Sequence, residues 1–151
     1  MVAVDAKRSA ARSEVVAALG VSLVVAAGWF ALALSFEAVG IARNDDWSFL
    51  ENAFRFADTG VFAVGGWVQM MLIGQLILAS PVIVVFGDSI AALQALVALL
   101  GALLLSSSYL VLRNFLSSLW ALAATAVIAG SAVFGLLSAS FMTDIPAAAF
   151  Q

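Results

Sequence analysis

The 151 residues include no His and no Cys. Imidazole bases and ligands, His-based triads, thiolate nucleophiles and disulfides are therefore absent. Acid–base chemistry falls to carboxylates, and three stand where they could perform it. Asp45 and Asp46 are adjacent, just after a long apolar run, and Asp144 lies between another apolar run and Pro146. A carboxylate can act as general base, orient a hydroxyl, or give a divalent cation a hard oxygen ligand. Each also has a structural reading. Asn44 or Asp45 can cap a helix while its neighbour is solvated, and Asp two residues before Pro is a common helix entry. Arg43 and Arg55 are the cations beside the first pair.

The composition says where such groups must work. Hydrophobic residues make up 65% of the chain and charged residues 10%, with a mean hydropathy of +1.16. A soluble domain has about 45–50% and about 25%. The chain reads as an all-α, polytopic membrane helical bundle. Its net charge of −3 is small and unclustered, so nothing points to nucleic acid.

Apolar runs set the elements. Val15 to Phe36 carries no charge over 22 residues, enough to cross a hydrocarbon core of about 30 Å. Lys7, Arg8 and Arg12 precede it and put the N-terminus in the cytoplasm. Ala31-Leu32-Ala33 has the small-x-small form of a signal-peptide cleavage site, but the run is longer than such a region needs. The stretch from Glu37 to Gly60 holds five acids against Arg43 and Arg55, which suits the extracytoplasmic side. Within it, Trp47, Leu50 and Phe54, flanked by Phe49, Ala53 and Phe56, predict an amphipathic helix on the membrane surface. Glu51 and Arg55 form an i, i+4 pair on its wet side, and Asp58-Thr59-Gly60 ends it.

Residues 61–86 are uncharged but contain Gly65, Gly66, Gln69, Gln75, Ser80 and Pro81. Such a run reads as interfacial or re-entrant, with a Pro kink. Phe86-Gly87-Asp88-Ser89 is a turn. Spans are expected near 15–36, 90–112 and 116–138, with Arg113-Asn114 between the last two. Pro146 suits the first turn of a fourth helix. Because that helix stops after barely a turn, residues 1–151 read as a single module at the N-terminus of a longer chain.

The order of these features resembles the N-terminal module of the GT-C membrane glycosyltransferases, in the branch of protein O-mannosyltransferases and lipid A aminoarabinose transferases. The matching residues are Asp45-Asp46 with Phe49 and Ala53, then Phe86 to Ser89, then Thr143-Asp144-Ile145-Pro146. The resemblance implies a polyprenyl-phosphate sugar donor and a cell-envelope acceptor, at the outer face of the inner (plasma) membrane. It makes Asp45 the general base of an inverting transfer. Asp46 and Asp144 would orient the acceptor, position the base or hold a cation, and Arg43 and Arg55 would meet donor phosphate. A divalent cation, Mg or Mn, serves some branches and not others. The chain departs from the family pattern at Val64 to Gln69, which lacks a basic residue and a Pro pair, and at Gln94, where many relatives carry Arg. A transporter or channel subunit is the rival reading, with Gln69, Gln75, Gln94 and Ser106 to Ser108 lining a polar path, and a non-catalytic membrane scaffold is another. A shared site requires Asp45 and Asp144 on one face, hence two crossings between them rather than three.

Overall fold

The computed structural model describes residues 2–43, 45–62 and 73–151. The expectations for Asn44, Gly65, Gly66 and Gln69 fall outside them, as does the Val64 to Gln69 departure. Among the described residues every regular element is a helix: α1 Val2–Ser35, α2 Asp46–Thr59, α3 Ile73–Phe86, α4 Ile90–Leu112, α5 Ser118–Ala129, α6 Ala132–Ser138 and α7 Asp144–Ala149. Two stretches are long and apolar enough to cross a membrane, Ala11–Ser35 and Ile90–Leu112. Their outward positions include Val16, Val24, Leu99 and Val111, all well exposed. An apolar exterior of this extent marks a surface that meets lipid or other protein.

α1 and α4 are antiparallel, as the polar contacts at their two ends show. At one end Glu14 of α1 accepts from Arg113 Nε at 2.7 Å and from the Tyr109 hydroxyl at 3.0 Å. At the other, Gln94 near the start of α4 accepts from the Gly40 N–H at 2.8 Å and donates to the Ile41 carbonyl at 3.0 Å. Gln94 and Arg113 are separated by about 28 Å of helix at 1.5 Å per residue. These are called below the Glu14 end and the Gln94 end.

The sequence predicts one continuous helix over 116–138, and the structure corrects this. α5 and α6 meet at 65° across Gly130 and Ser131. The break is built from local and distant partners together. Ser131 caps α6 by accepting from the Phe134 N–H at 3.1 Å, and its hydroxyl donates to the Ile128 carbonyl at 2.9 Å. The Ala129 carbonyl, next to the break, accepts from Trp29 Nε1 on α1 at 2.8 Å. A broken helix in apolar surroundings is tolerated where other groups satisfy its backbone. The bent pair still runs from one end of the bundle to the other. Leu116, just before it, accepts from Arg113 Nη1, and Ala139, just after it, accepts from Arg43 Nη2.

α3 behaves differently. Its 14 residues extend only about 21 Å. Gln75 in its first turn donates to the Met142 carbonyl at 3.4 Å. Its last turn enters α4 through Gly87, whose φ of 67° is a left-handed conformation that glycine adopts without a Cβ penalty. Both ends of α3 therefore belong to the Gln94 half of the molecule. Pro81 sits inside a helix that remains continuous. α2 packs on α3, and α3 and α7 pack on α4. The core they enclose includes Leu50, Leu76, Ile83, Leu93, Val97 and Phe141. α2 stops as its sequence predicts: Gly60, at φ 66°, donates its N–H to the Phe56 carbonyl. The inward face of α2 is not quite the expected one. Leu50 and Ala53 are buried, together with Asp46, Ser48 and Asn52, whereas Trp47 is 48% exposed. Packing on α3 sets this phase.

Trp29 supplies a test of the bend. A Cβ added at Gly135 of α6 would fall inside the Trp29 ring, so the two helices approach this closely only because residue 135 is glycine. Gly135→Ala should lower stability by about 1–3 kcal/mol, read as a lower melting temperature in detergent. Gly28→Ala, where a Cβ meets nothing within 4 Å, should not. Equal melting of the two variants would contradict this packing.

Candidate functional site

The Gln94 end gathers Arg43, Asp46, Gln75 and Gln94, polar side chains in a largely apolar molecule. Two irregular segments meet there, residues 36–43 after α1 and residues 139–143 after α6. α1 ends at Ser35 with Glu37 in the left-handed region, at φ 54°. The chain then turns under the Gln94 amide. That side chain is fully buried, and its two bonds satisfy backbone groups that would otherwise be costly to bury.

Two further contacts join the segments directly. Arg43 Nη2 donates to the Ala139 carbonyl at 2.9 Å. Asp46 Oδ2 accepts from the Phe141 N–H at 3.2 Å. Gln75 adds the bond to Met142 described above. Four side chains, from α3, α4, α2 and the first loop, thus hold residues 40–41 and 139–142 in one polar layer.

Asp45 and Asp46 occupy different environments although they are adjacent. Asp46 is the first residue of α2 and has no exposure to solvent. Its Oδ1 is buried without a hydrogen-bond partner among the described residues, and so is Arg43 Nε. Burial pushes the Asp46 carboxyl above the ordinary carboxylate range. Hydrogen bonding from the Phe141 and Arg43 backbone and the Arg43 charge oppose the shift, while the Asp45 charge adds to it. Asp45 is exposed. It stands at the N-cap of α2, but its side chain makes no capping hydrogen bond. The capping role is thus not the one Asp45 performs, and its carboxylate faces outward.

Asp144 is exposed in the first turn of α7, with Thr143 at the N-cap. A carboxylate there is favoured by the helix dipole. It lies three residues beyond Phe141, so at most about 10 Å of chain separates it from the residue that Asp46 holds. The structure therefore brings the Asp45-Asp46 segment and the Thr143 to Pro146 segment to the same end of the bundle.

Arg55 does not join them. Nine residues along α2 from Asp46, it lies about 13 Å away and half a turn round the helix. Its Nη2 pairs with Glu51 at 2.7 Å on the exposed face. The two cations expected at donor phosphate thus have different partners, Arg43 the Ala139 carbonyl and Arg55 the Glu51 carboxylate. Asp46 is fully buried and enclosed by the segments it joins. Among the described residues no three His, Cys, Asp or Glu side chains gather as a metal centre.

Of the described side chains that could have lined a polar path, Gln75, Gln94, Ser106 and Ser107 are spent on backbone. Gln75 and Gln94 bond the loops as above, and Ser106 and Ser107 donate to Leu103 and Leu104 within α4. Sequence reading missed the role of Gln94, whose signal was a lone buried amide one turn inside a span.

Arg43 also lines a cleft of about 260 Å³ between α1 and α6, with Trp29, Leu32, Phe36, Leu136 and Ala139 among its walls. Among the described residues that line it, Arg43 alone is charged. Comparison with family models, curated proteins and solved structures found no match to this chain.

The state of Asp46 has a measurable consequence. The folded protein binds the Asp46 proton more tightly than the unfolded chain, whose carboxyl has the ordinary value of 3.8. Its contribution to stability is therefore fullest below that value and is lost as pH rises through the raised folded pKa. Asp46→Asn keeps an oxygen for the Phe141 N–H and cannot ionise. It should melt no lower than the parent at neutral pH, and the difference should shrink as pH falls toward the ordinary carboxylate range. A variant clearly less stable at neutral pH would contradict the enclosed carboxyl.

Proposed function

We propose that this chain is the membrane-embedded N-terminal module of a GT-C-like inverting glycosyltransferase, which moves a sugar from a polyprenyl-phosphate donor to a hydroxyl of a cell-envelope acceptor. The observation that carries the reading is the Asp46–Phe141 contact, which puts the first acidic motif beside the segment leading into the second. On this reading α1, α4 and the bent α5–α6 pair each cross the membrane. The basic N-terminal turns then place the Glu14 end in the cytoplasm. α2 and α3 lie on the outer side, and Asp45 and Asp144 share the outer face of the inner membrane.

The chemistry follows from the different environments of the carboxylates. Asp45, exposed and uncommitted to capping, takes the proton of the acceptor hydroxyl. The acceptor oxygen attacks the anomeric carbon, the bond from that carbon to the phosphate oxygen breaks, and the lipid phosphate leaves with the electron pair. A single displacement inverts the anomeric centre. Asp144 orients the acceptor. Asp46 is a positioning residue, since it reaches the site only through the segments it holds. The Arg43 side chain, at an apolar cleft open to lipid, suits a phosphate whose isoprenoid chain lies against α1 and α6. A divalent cation would find Asp45 and Asp144 as hard oxygen donors, the remaining ligands coming from phosphate and water.

Sugar transfer from a polyprenyl-phosphate donor by the full-length protein tests this. Asp45→Asn should lower the rate by roughly 10²–10⁴-fold, the worth of a general base. Arg43→Gln should raise KM for the donor, and Arg55→Gln should change neither constant. Unchanged turnover in Asp45→Asn would refute the assigned base.

A further inference from the structure

Turns between helices are normally polar, but the one between α4 and α5 is apolar. Phe115 is 80% exposed and Trp120 67%, and Leu116 and Leu119 beside them are exposed as well. The Phe115 and Leu116 N–H groups both donate to the Leu112 carbonyl, which holds the turn close against the end of α4. Arg113 reaches from the same turn to Glu14 and to the Leu116 carbonyl. Four apolar side chains therefore stand outward at the level of an ion pair.

Trp120 tells what covers them. Helical side chains lean toward the N-terminus of their helix, and α5 starts at the Glu14 end, so the Trp120 ring leans toward the turn. Its indole N–H has no hydrogen-bond partner among the described residues. Trp29 is the contrast. It lies deep along the bundle, at the break between α5 and α6, and its N–H donates to the Ala129 carbonyl at 2.8 Å. A donor in hydrocarbon is costly without a partner. Trp29 is satisfied from within, whereas Trp120 has to be satisfied from outside. α5 also begins there with no capping bond from the Ser117 side chain, and the first N–H groups of a helix have no intrahelical partner. The level combines apolar side chains that avoid water with donors that avoid hydrocarbon. A membrane interface meets both demands, and Trp is enriched there for that reason.

We infer, resting on the membrane-spanning part of the reading above and on nothing about sugar transfer, that the turn at 115–120 is a lipid-interface anchor. Phe115, Leu116 and Leu119 lie against acyl chains where these join the glycerol, and the Trp120 N–H donates to an ester or phosphate oxygen of the headgroup. The spacing of the molecule fits this occupant. At the Gln94 end Phe36 and Phe86 are exposed, each followed within two residues by an exposed acid, Glu37 and Asp88. From Glu14 to Phe36 along α1 is about 33 Å, and Ile90 to Leu112 along α4 covers the same length. Both helices thus separate the two levels of exposed rings by the thickness of a hydrocarbon core, about 30 Å. Between the levels the outward positions are apolar, as at Val24, Leu103 and Val127. A protein docked on the turn alone would give no reason for that spacing.

The test uses the full chain in phosphatidylcholine vesicles. Carbonate extraction comes first: a chain released by it contradicts the membrane reading and the anchor together, and a chain retained leaves the anchor to be judged by itself. The emission lost in Trp120→Phe belongs to Trp120. Lipids brominated near the ester end of their chains should quench that emission more than lipids brominated near the chain tips. The chain has no Cys, so a nitroxide on a single cysteine gives a second reading of depth. At position 119 it should collide with both oxygen and a water-soluble nickel chelate. At 127 it should meet oxygen alone, and at 51 chiefly the chelate. Trp120 emission untouched by either brominated lipid, with the label at 119 behaving like that at 51, would show the turn in water and overturn the inference. Stronger quenching from the chain tips would put it in hydrocarbon, and a label at 119 shielded from both colliders would put it against protein; each also overturns it.

Discussion

An apolar molecule of this kind has few ways to hold irregular backbone in place, because every buried N–H and C=O must find a partner. The Asp46 carboxylate, fully buried and bonded to the Phe141 N–H, meets that constraint at the point where two loops far apart in sequence come together. Gln94, Arg43 and Gln75 extend the same solution to residues 40–41, 139 and 142. The arrangement of the acidic motifs depends on these four side chains. Without them the loops after α1 and α6 would have no reason to share a layer.

The constraint also explains the division of labour within Asp45-Asp46. Successive helix residues point about 100° apart, so an adjacent pair at a helix start can send one side chain inward and the other outward. One carboxyl goes into the joint and is driven toward its neutral form by burial. The other stays at the surface, uncommitted to its helix. A pair that looks equivalent in sequence thus becomes one carboxyl that joins two loops and one that stays at the surface. The two ends of the bundle differ in the same spirit. One is closed by an ion pair and a tyrosine, and the other is open, acidic and polar-layered.

Much of the architecture was legible because it is local. Uncharged runs of the right length mark α1 and α4, Gly60 and Gly87 mark stops, and Ser89 marks a cap. The features that escaped depend on distant partners. Nothing within 116–138 announces a 65° bend, since Gly130-Ser131 is common within apolar helices; Trp29, a hundred residues before Ala129, helps to stabilise it. The amide of Gln94 reads as a departure from a family pattern until Gly40 and Ile41 are placed beside it. The place of Arg55 was readable too. Its nine-residue separation from Asp46 puts the two on opposite sides of α2, a phase the sequence alone contains.

The central claim is that the two acidic segments share one face of the membrane, opposite Arg113. The chain has no Cys, so single cysteines at 45, 114 and 144 give a clean background for labelling with an impermeant maleimide in oriented vesicles. The account predicts that positions 45 and 144 react from one side and position 114 from the other. Position 144 reacting together with 114, on the side opposite 45, would contradict it.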